Sequence, residues 1–125
     1  MNSSPAVSEG FSRNDRLRKR REFEECYASG VRVSGRHVQV FLLPAAGASR
    51  PRLGISVPRR VGPAVARNRV RRRLREIFRR GRAPFAAPLS IVVNARPSAA
   101  QASFQELSED FAAVVRRASA RLPRP

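Results

Sequence analysis

Two kinds of side chain recur at spacings that matter for binding. Arginines crowd one stretch, Arg59, Arg60, Arg67, Arg69, Arg71, Arg72, Arg73 and Arg75, with Asn68 set between two of them. Aromatics accompany a second basic run, Phe23 and Tyr27 just after it and Phe41 on the next apolar segment. Guanidinium groups in series neutralise the phosphates of a polyanion, and aromatic faces stack unpaired bases. The residues that would do protein-based catalysis are scarce. His37 is the only histidine, so a pair of groups titrating near neutrality for general acid–base chemistry is missing from the composition. The nine acids are scattered: Glu22, Glu24 and Glu25 share one short segment, Glu106, Glu109 and Asp110 a distant one. Neither grouping suggests a two-metal carboxylate centre, and no glycine-rich phosphate loop is present. By its own residues this chain binds and does not catalyse; no catalytic residue and no metal ligand is expected.

The arginines need a helix to carry them. Ala66, Val70, Leu74, Ile77 and Phe78 recur at steps of four and three and so share one face. Gly62 suits the N-cap, Pro63 the first helical position, and Gly81 the left-handed residue past the end. Arg67, Arg71 and Arg75 flank the apolar stripe on one side and Arg69, Arg73 and Arg80 on the other. Asn68, Arg72 and Arg79 point outward. Like-charged pairs one turn apart, such as Arg67/Arg71 and Arg71/Arg75, each cost about 0.2–0.5 kcal/mol in an isolated helix. A solvated helix mixes its signs, whereas here Glu76 is the one acid. The pattern fits a polyanion-facing surface.

The whole chain agrees. With 26 basic and 9 acidic residues in 125, the formal net charge is +17, and Lys19 is the only lysine. A lone cysteine, Cys26, makes neither a disulfide framework nor a metal cluster and suits a small core position. No apolar run approaches the length of a membrane span, and no signal-like segment opens the chain, which makes a cytoplasmic protein the default.

Along the chain, residues 1–14 are rich in Ser, Asn and Gly and read as a disordered tail. The basic cluster Arg16, Arg18, Lys19, Arg20, Arg21 leads into a short helix with Phe23, Cys26 and Tyr27 on one face, stopped at Ser29-Gly30. Residues 31–43 are strand-like with a break at Ser34-Gly35, and Val38, Val40 and Leu42 alternate onto one face. His37 falls within this strand-like run. A connection over 44–51 precedes a second strand with Leu53, Ile55 and Val57 on one face, ended by Pro58. After the arginine helix, Leu89 to Asn94 reads as a buried strand. Ser103 and Glu106 form a capping box for a last helix, whose apolar face is Phe104, Leu107, Phe111, Val114 and Ala118. Residues 123–125 are a frayed end. The order predicts a single domain over 15–122 of α+β class, an α/β sandwich.

The stretch Leu53-Gly54-Ile55-Ser56-Val57, Arg59-Arg60-Val61-Gly62, then Ala64-Val65-x-Arg67-Asn68-Arg69-Val70-x-Arg72-Arg73-x-Arg75-Glu76, closely resembles the signature of the bacterial ribonuclease P protein subunit. Arg16-Leu17, Glu22-Phe23, Tyr27, Gly30, Arg36 and Ala95-Arg96-Pro97 extend the resemblance over residues 15–120. Pro58 and Pro63 depart from the family's usual residues but suit a strand end and a helix start. Lys19-Arg20-Arg21 stands where a serine cap is common.

The resemblance implies a small central mixed β-sheet packed by three helices, with a left-handed β-α-β crossover, where the general rule gives right-handed in about 98% of cases. It implies a monomeric protein within a ribonucleoprotein, partnered by a catalytic RNA and by precursor tRNA. The RNA, holding Mg²⁺, would remove the 5′ leader. Carried over by position, Arg59, Arg60, Arg67, Asn68, Arg69, Arg71, Arg72, Arg73 and Arg75 would face the catalytic RNA, and Phe23, Tyr27, Arg36 and Phe41 would receive the leader. The alternative is a basic structural RNA-binding protein of ribosomal type with no part in cleavage.

Overall fold

The alternation of apolar residues in the strands generates a sheet with two unlike faces. A computed structural model describes residues 16–17, 19–45, 51–81 and 88–122. The expected tail over 1–14, most of the connection over 44–51, Arg18 and the end at 123–125 lie outside the described residues. In chain order these comprise α1 (Arg20–Ser29), β1 (Val31–Ser34), β2 (Val38–Pro44), β3 (Arg52–Ser56), α2 (Ala64–Gly81), β4 (Leu89–Ala95) and α3 (Phe104–Ala120), with 3-10 turns at Arg59–Val61 and Pro97–Ala100. The strands form one mixed sheet in the order β1-β2-β4-β3. β2 runs antiparallel to β1 and β4, and β3 runs parallel to β4 with α2 as the connection. This is the α+β sandwich the sequence predicts.

One face of the sheet carries the main core. Val38, Val40 and Leu42 lie beside Ala95, Val93 and Ile91 in register, and Leu53 pairs with Ile91 from the other side. Val70, Leu74, Ile77 and Phe78 of α2 and Leu107, Phe111, Val114 and Ala118 of α3 close over them. Ala66 and Phe104, at the ends of the predicted stripes, are only half-buried. Each fully buried side chain of this kind contributes about 1.5–3 kcal/mol of apolar transfer. The opposite face holds a smaller cluster, Leu17, Cys26, Phe41 and Val92, beneath α1. Burial first, and then Glu25, pushes the Cys26 thiol up to about 11, which makes it the inert core cysteine its setting predicts.

The helix ends differ from expectation in instructive ways. Gly62 closes the 3-10 turn instead of capping α2, its N–H donating to Arg59 O at 3.1 Å. Its φ of 154° is a conformation that side-chain-bearing residues rarely adopt. The Pro63 carbonyl then accepts from Arg67 N–H at 3.0 Å, so Pro63 is the N-cap and α2 begins one residue later than predicted. Gly81 is the last helical residue and has no positive φ. At α1 the missing serine cap is replaced from within: Lys19 N–H donates to Glu22 Oε1 at 3.2 Å. The capping box of α3 is present as predicted, with Ser103 N–H to Glu106 Oε1 at 2.8 Å and Glu106 N–H to Ser103 Oγ at 3.0 Å.

Candidate nucleic-acid interface

The arginine helix spends some of its guanidiniums on the fold. Arg69 donates to Ala100 O at 3.4 Å and Arg73 to Ala102 O at 2.8 Å, pinning α2 to the segment that precedes α3. Arg67 Nε donates to Gly62 O at 3.1 Å and Arg71 to Asn68 Oδ1 at 3.0 Å. All four acceptors are neutral, so the charges are aimed but not cancelled. Arg59, Arg60, Asn68 and Arg72 are exposed. Arg75 is half-buried; burial first, then Arg16 and Arg71, lowers the pKa of its guanidinium. Burial is the larger cause; Arg16 and Arg71 add like charges that a bound anion would offset.

Arg79 does not point outward as predicted. It is half-buried and donates to Glu76 Oε1 at 2.9 Å, while Arg80 donates to Glu76 Oε2 at 2.7 Å. These bonds hold the Glu76 carboxyl at about 2, well below the ordinary range. The acid therefore compensates the C-terminal turn of α2 and leaves the N-terminal two thirds without a counter-charge on the helix.

The second surface lies on the α1 face of the sheet, where the helix covers only part of the strands. Tyr27 stands edge-on to Phe41, ring centroids 4.8 Å apart and planes at 82°. Its hydroxyl donates to Asn94 Oδ1 at 2.9 Å. Tyr27 is 41% exposed and Phe41 7%, so Tyr27 presents the accessible ring and Phe41 supports it. Phe23 is half-buried and packs on Gly54, where an added Cβ would stand 2.6 Å from its Cζ. Next to these rings Gln39, Asn94 and Ser56 form one polar row across three strands. With Arg60, Arg96 and Pro58 they line a cleft of about 450 Å³. The structure thus brings Tyr27 and Phe41 together and sets Phe23 beside them. It places Arg36, exposed, on the turn between β1 and β2.

His37 belongs to that turn and not to a strand. It is buried, with Nδ1 2.8 Å from Ser98 Oγ. The reason is Asp110 of α3, whose carboxylate accepts from the N–H groups of Arg36, His37 and Val38 at 3.0, 2.8 and 3.1 Å and so draws the chain out of the ladder. The sequence reading assigned no site role to Asp110, Asn94, Gln39 or Arg96. The available signal was Asn94 and Gln39 as polar positions within otherwise apolar strands. Asp110 gave no such signal, as one of three acids near the start of the last helix.

Among the described residues, no three of His, Cys, Asp and Glu gather as a metal site. No helix among them is long and apolar enough to cross a membrane.

A small, strongly cationic α+β sandwich with an arginine-lined helix and an aromatic-polar cleft defines a class, that of accessory proteins built around a polyanionic partner. The chain belongs to the ribonuclease P protein family, whose model it matches over residues 11–119. It is 44% identical over 97 residues to the ribonuclease P protein component of Acidothermus cellulolyticus, covering 77% of this chain and 81% of that protein. To that of Desulfovibrio desulfuricans it is 39% identical over 111 residues, covering 86% and 85%. Among solved structures it is similar to a Staphylococcus aureus RNase P protein mutant with defective mRNA degradation activity, with a TM-score of 0.81, 27% identity, and 91% and 93% of the two chains covered. The RNase P protein of Thermotoga maritima aligns with a TM-score of 0.73 at 31% identity, covering 82% and 96%. The family is the accessory protein subunit of the endoribonuclease that processes tRNA 5′ ends, and it implies an RNA partner in a ribonucleoprotein.

Proposed function

We propose that this protein docks on the ribonuclease P catalytic RNA through Arg59, Arg60 and the arginine face of α2, and receives the single-stranded 5′ leader of precursor tRNA in the cleft on the α1 face. The observation that carries the reading is the pairing of two distinct surfaces on one fold. One is a helix whose arginines bond neutral acceptors and keep their charge; the other is an exposed ring, Tyr27, at the edge of a polar cleft. Charge in series suits the RNA backbone, which is recognised by shape and phosphate. An accessible ring suits unpaired bases, at about 1–3 kcal/mol per base stacked. Arg67, Asn68, Arg69, Arg71, Arg72, Arg73 and Arg75 face the catalytic RNA, and Phe23, Tyr27, Arg36 and Phe41 serve the leader, with Phe23 and Phe41 as the support for Tyr27.

The chain's donor set does not fit a resident magnesium ion, because the described acids are dispersed or already paired. Mg²⁺ is accordingly assigned to the RNA. The protein's part is to bind, to orient the leader, and to lower the repulsion between two RNAs, as a monomer acting in the cytoplasm. The test is leader removal by a bacterial ribonuclease P RNA at low Mg²⁺, with and without the purified protein. A rise in the rate for precursor tRNA is expected. No rise, with the protein still bound to the RNA, would leave only a structural RNA-binding role.

A further inference from the structure

We infer that Asp110 and Ser98 are positioning residues that hold Arg36 out to an RNA phosphate. The inference rests on the reading above only in taking that phosphate from the leader. Arg36 occupies the tip of the turn between β1 and β2, and both of its peptide groups are tied to other elements. Its N–H donates to Asp110 Oδ1 of α3 at 3.0 Å, and its carbonyl accepts from Ser98 Oγ, in the 3-10 turn before α3, at 3.0 Å. The neighbouring groups are held as firmly. Asp110 Oδ2 accepts from His37 and Val38, the His37 carbonyl accepts from Arg96 N–H at 2.9 Å, and Gly35 N–H donates to Val38 O at 2.7 Å.

The His37 ring completes the clamp. Because the Ser98 hydroxyl gives its one proton to Arg36 O, its oxygen accepts, and Nδ1 of His37 must carry the proton it donates at 2.8 Å. His37 thereby orients Ser98, and Ser98 orients Arg36. In contrast to this backbone, the Arg36 side chain is exposed, and its guanidinium makes no hydrogen bond among the described residues. Glu106 is its Coulombic neighbour without bonding it, and a fixed backbone under a guanidinium that no hydrogen bond holds lowers the entropy cost of gripping a phosphate.

The charge of Asp110 makes the inference testable by sign. If Asp110 acted on RNA only through its charge, Asp110→Asn would strengthen binding, since the net charge rises by one. If it positions Arg36, the same change weakens binding. Ser98→Ala alters no charge, so any fall in the salt dependence of binding that it causes means a lost phosphate contact.

The experiment uses holoenzyme reconstituted with a bacterial ribonuclease P RNA. Affinities for precursor tRNA, for mature tRNA and of the protein for the catalytic RNA are measured across a salt series. Thermal unfolding is followed for each variant. We expect Arg36→Ala, Ser98→Ala and Asp110→Asn each to weaken precursor binding about 3- to 10-fold and spare mature tRNA. Each should reduce the slope of log K against log salt by about 0.7, the value for one phosphate of a single strand. Ser98→Ala added to Arg36→Ala should cost nothing more, and Ser98→Thr should restore binding.

Multiplicative losses in the double variant, or unchanged or tighter precursor binding by Asp110→Asn and Ser98→Ala while Arg36→Ala weakens it, would overturn the positioning role and leave the leader reading intact. An effect of Arg36→Ala on catalytic-RNA affinity instead moves the phosphate to that RNA. The leader assignment of Arg36 then fails, and the positioning role stands if the other variants follow. No effect of Arg36→Ala on any RNA overturns the inference.

Discussion

The tip of the Phe23 ring closes on Gly54 so tightly that an added Cβ would stand 2.6 Å from Cζ and 2.8 Å from Cε2, which leaves no room for a side chain between helix α1 and strand β3 unless the ring moves. The contact limits how closely α1 can approach β3. Gly54→Ala is therefore expected to cost about 1–3 kcal/mol, the usual range for overpacking, measured by denaturant unfolding. Phe23→Leu in the same background should recover part of the loss. Equal stability of Gly54→Ala and the parent would mean that α1 shifts freely.

Tyr27 joins the cleft through its ring and the sheet through its hydroxyl. Tyr27→Ala should weaken precursor tRNA binding by about 10-fold or more, in line with one lost base stack, and spare mature tRNA. Tyr27→Phe keeps the ring and loses only the bond to Asn94, so it should cost about 1 kcal/mol or less. Equal loss for precursor and mature tRNA would place Tyr27 in the scaffold.

Arg72 and Arg73 are neighbours in sequence with different employment. Arg72 is exposed, whereas Arg73 holds Ala102 O. Each alanine variant should lower the salt slope of catalytic-RNA binding by about 1. Only Arg73→Ala should also lower the unfolding free energy, by about 1 kcal/mol. A stability loss in Arg72→Ala would contradict the division.

Glu76 titrates at about 2 because Arg79 and then Arg80 bond its carboxylate. Its folded value lies below its unfolded value near 4.5, so the stability it contributes is complete above pH 4.5 and disappears as the pH falls through 2. An NMR titration of the carboxyl carbon should find its midpoint near 2. A midpoint near 4.5 would show that the two ion pairs do not form in solution. Comparison with Glu76→Gln should give unfolding curves that converge at the acid end.

Much of this molecule was contained in local pattern. Periodicity of two in β2 and β3, periodicity of 3.6 in α2 and α3, and the Ser103–Glu106 capping box depend on residues a few positions apart, and all were found where the pattern placed them. The excess of arginine likewise points to a polyanionic partner, since net charge is a property of composition. The start of α2 was out by one residue, because the preceding turn claimed the capping glycine.

Tertiary packing settled the remainder, because it joins residues far apart in the chain. Asp110 reaches a turn more than seventy residues away, and Tyr27 reaches Asn94 across 67. Arg69 and Arg73 meet the carbonyls of a segment 31 and 29 residues on. None of these partners can be chosen by spacing, since a polar side chain's role depends on which backbone the folded sheet and helices bring within about 3 Å of it. Arginines alike in sequence were thus sorted into those that brace the fold and those left to meet a partner.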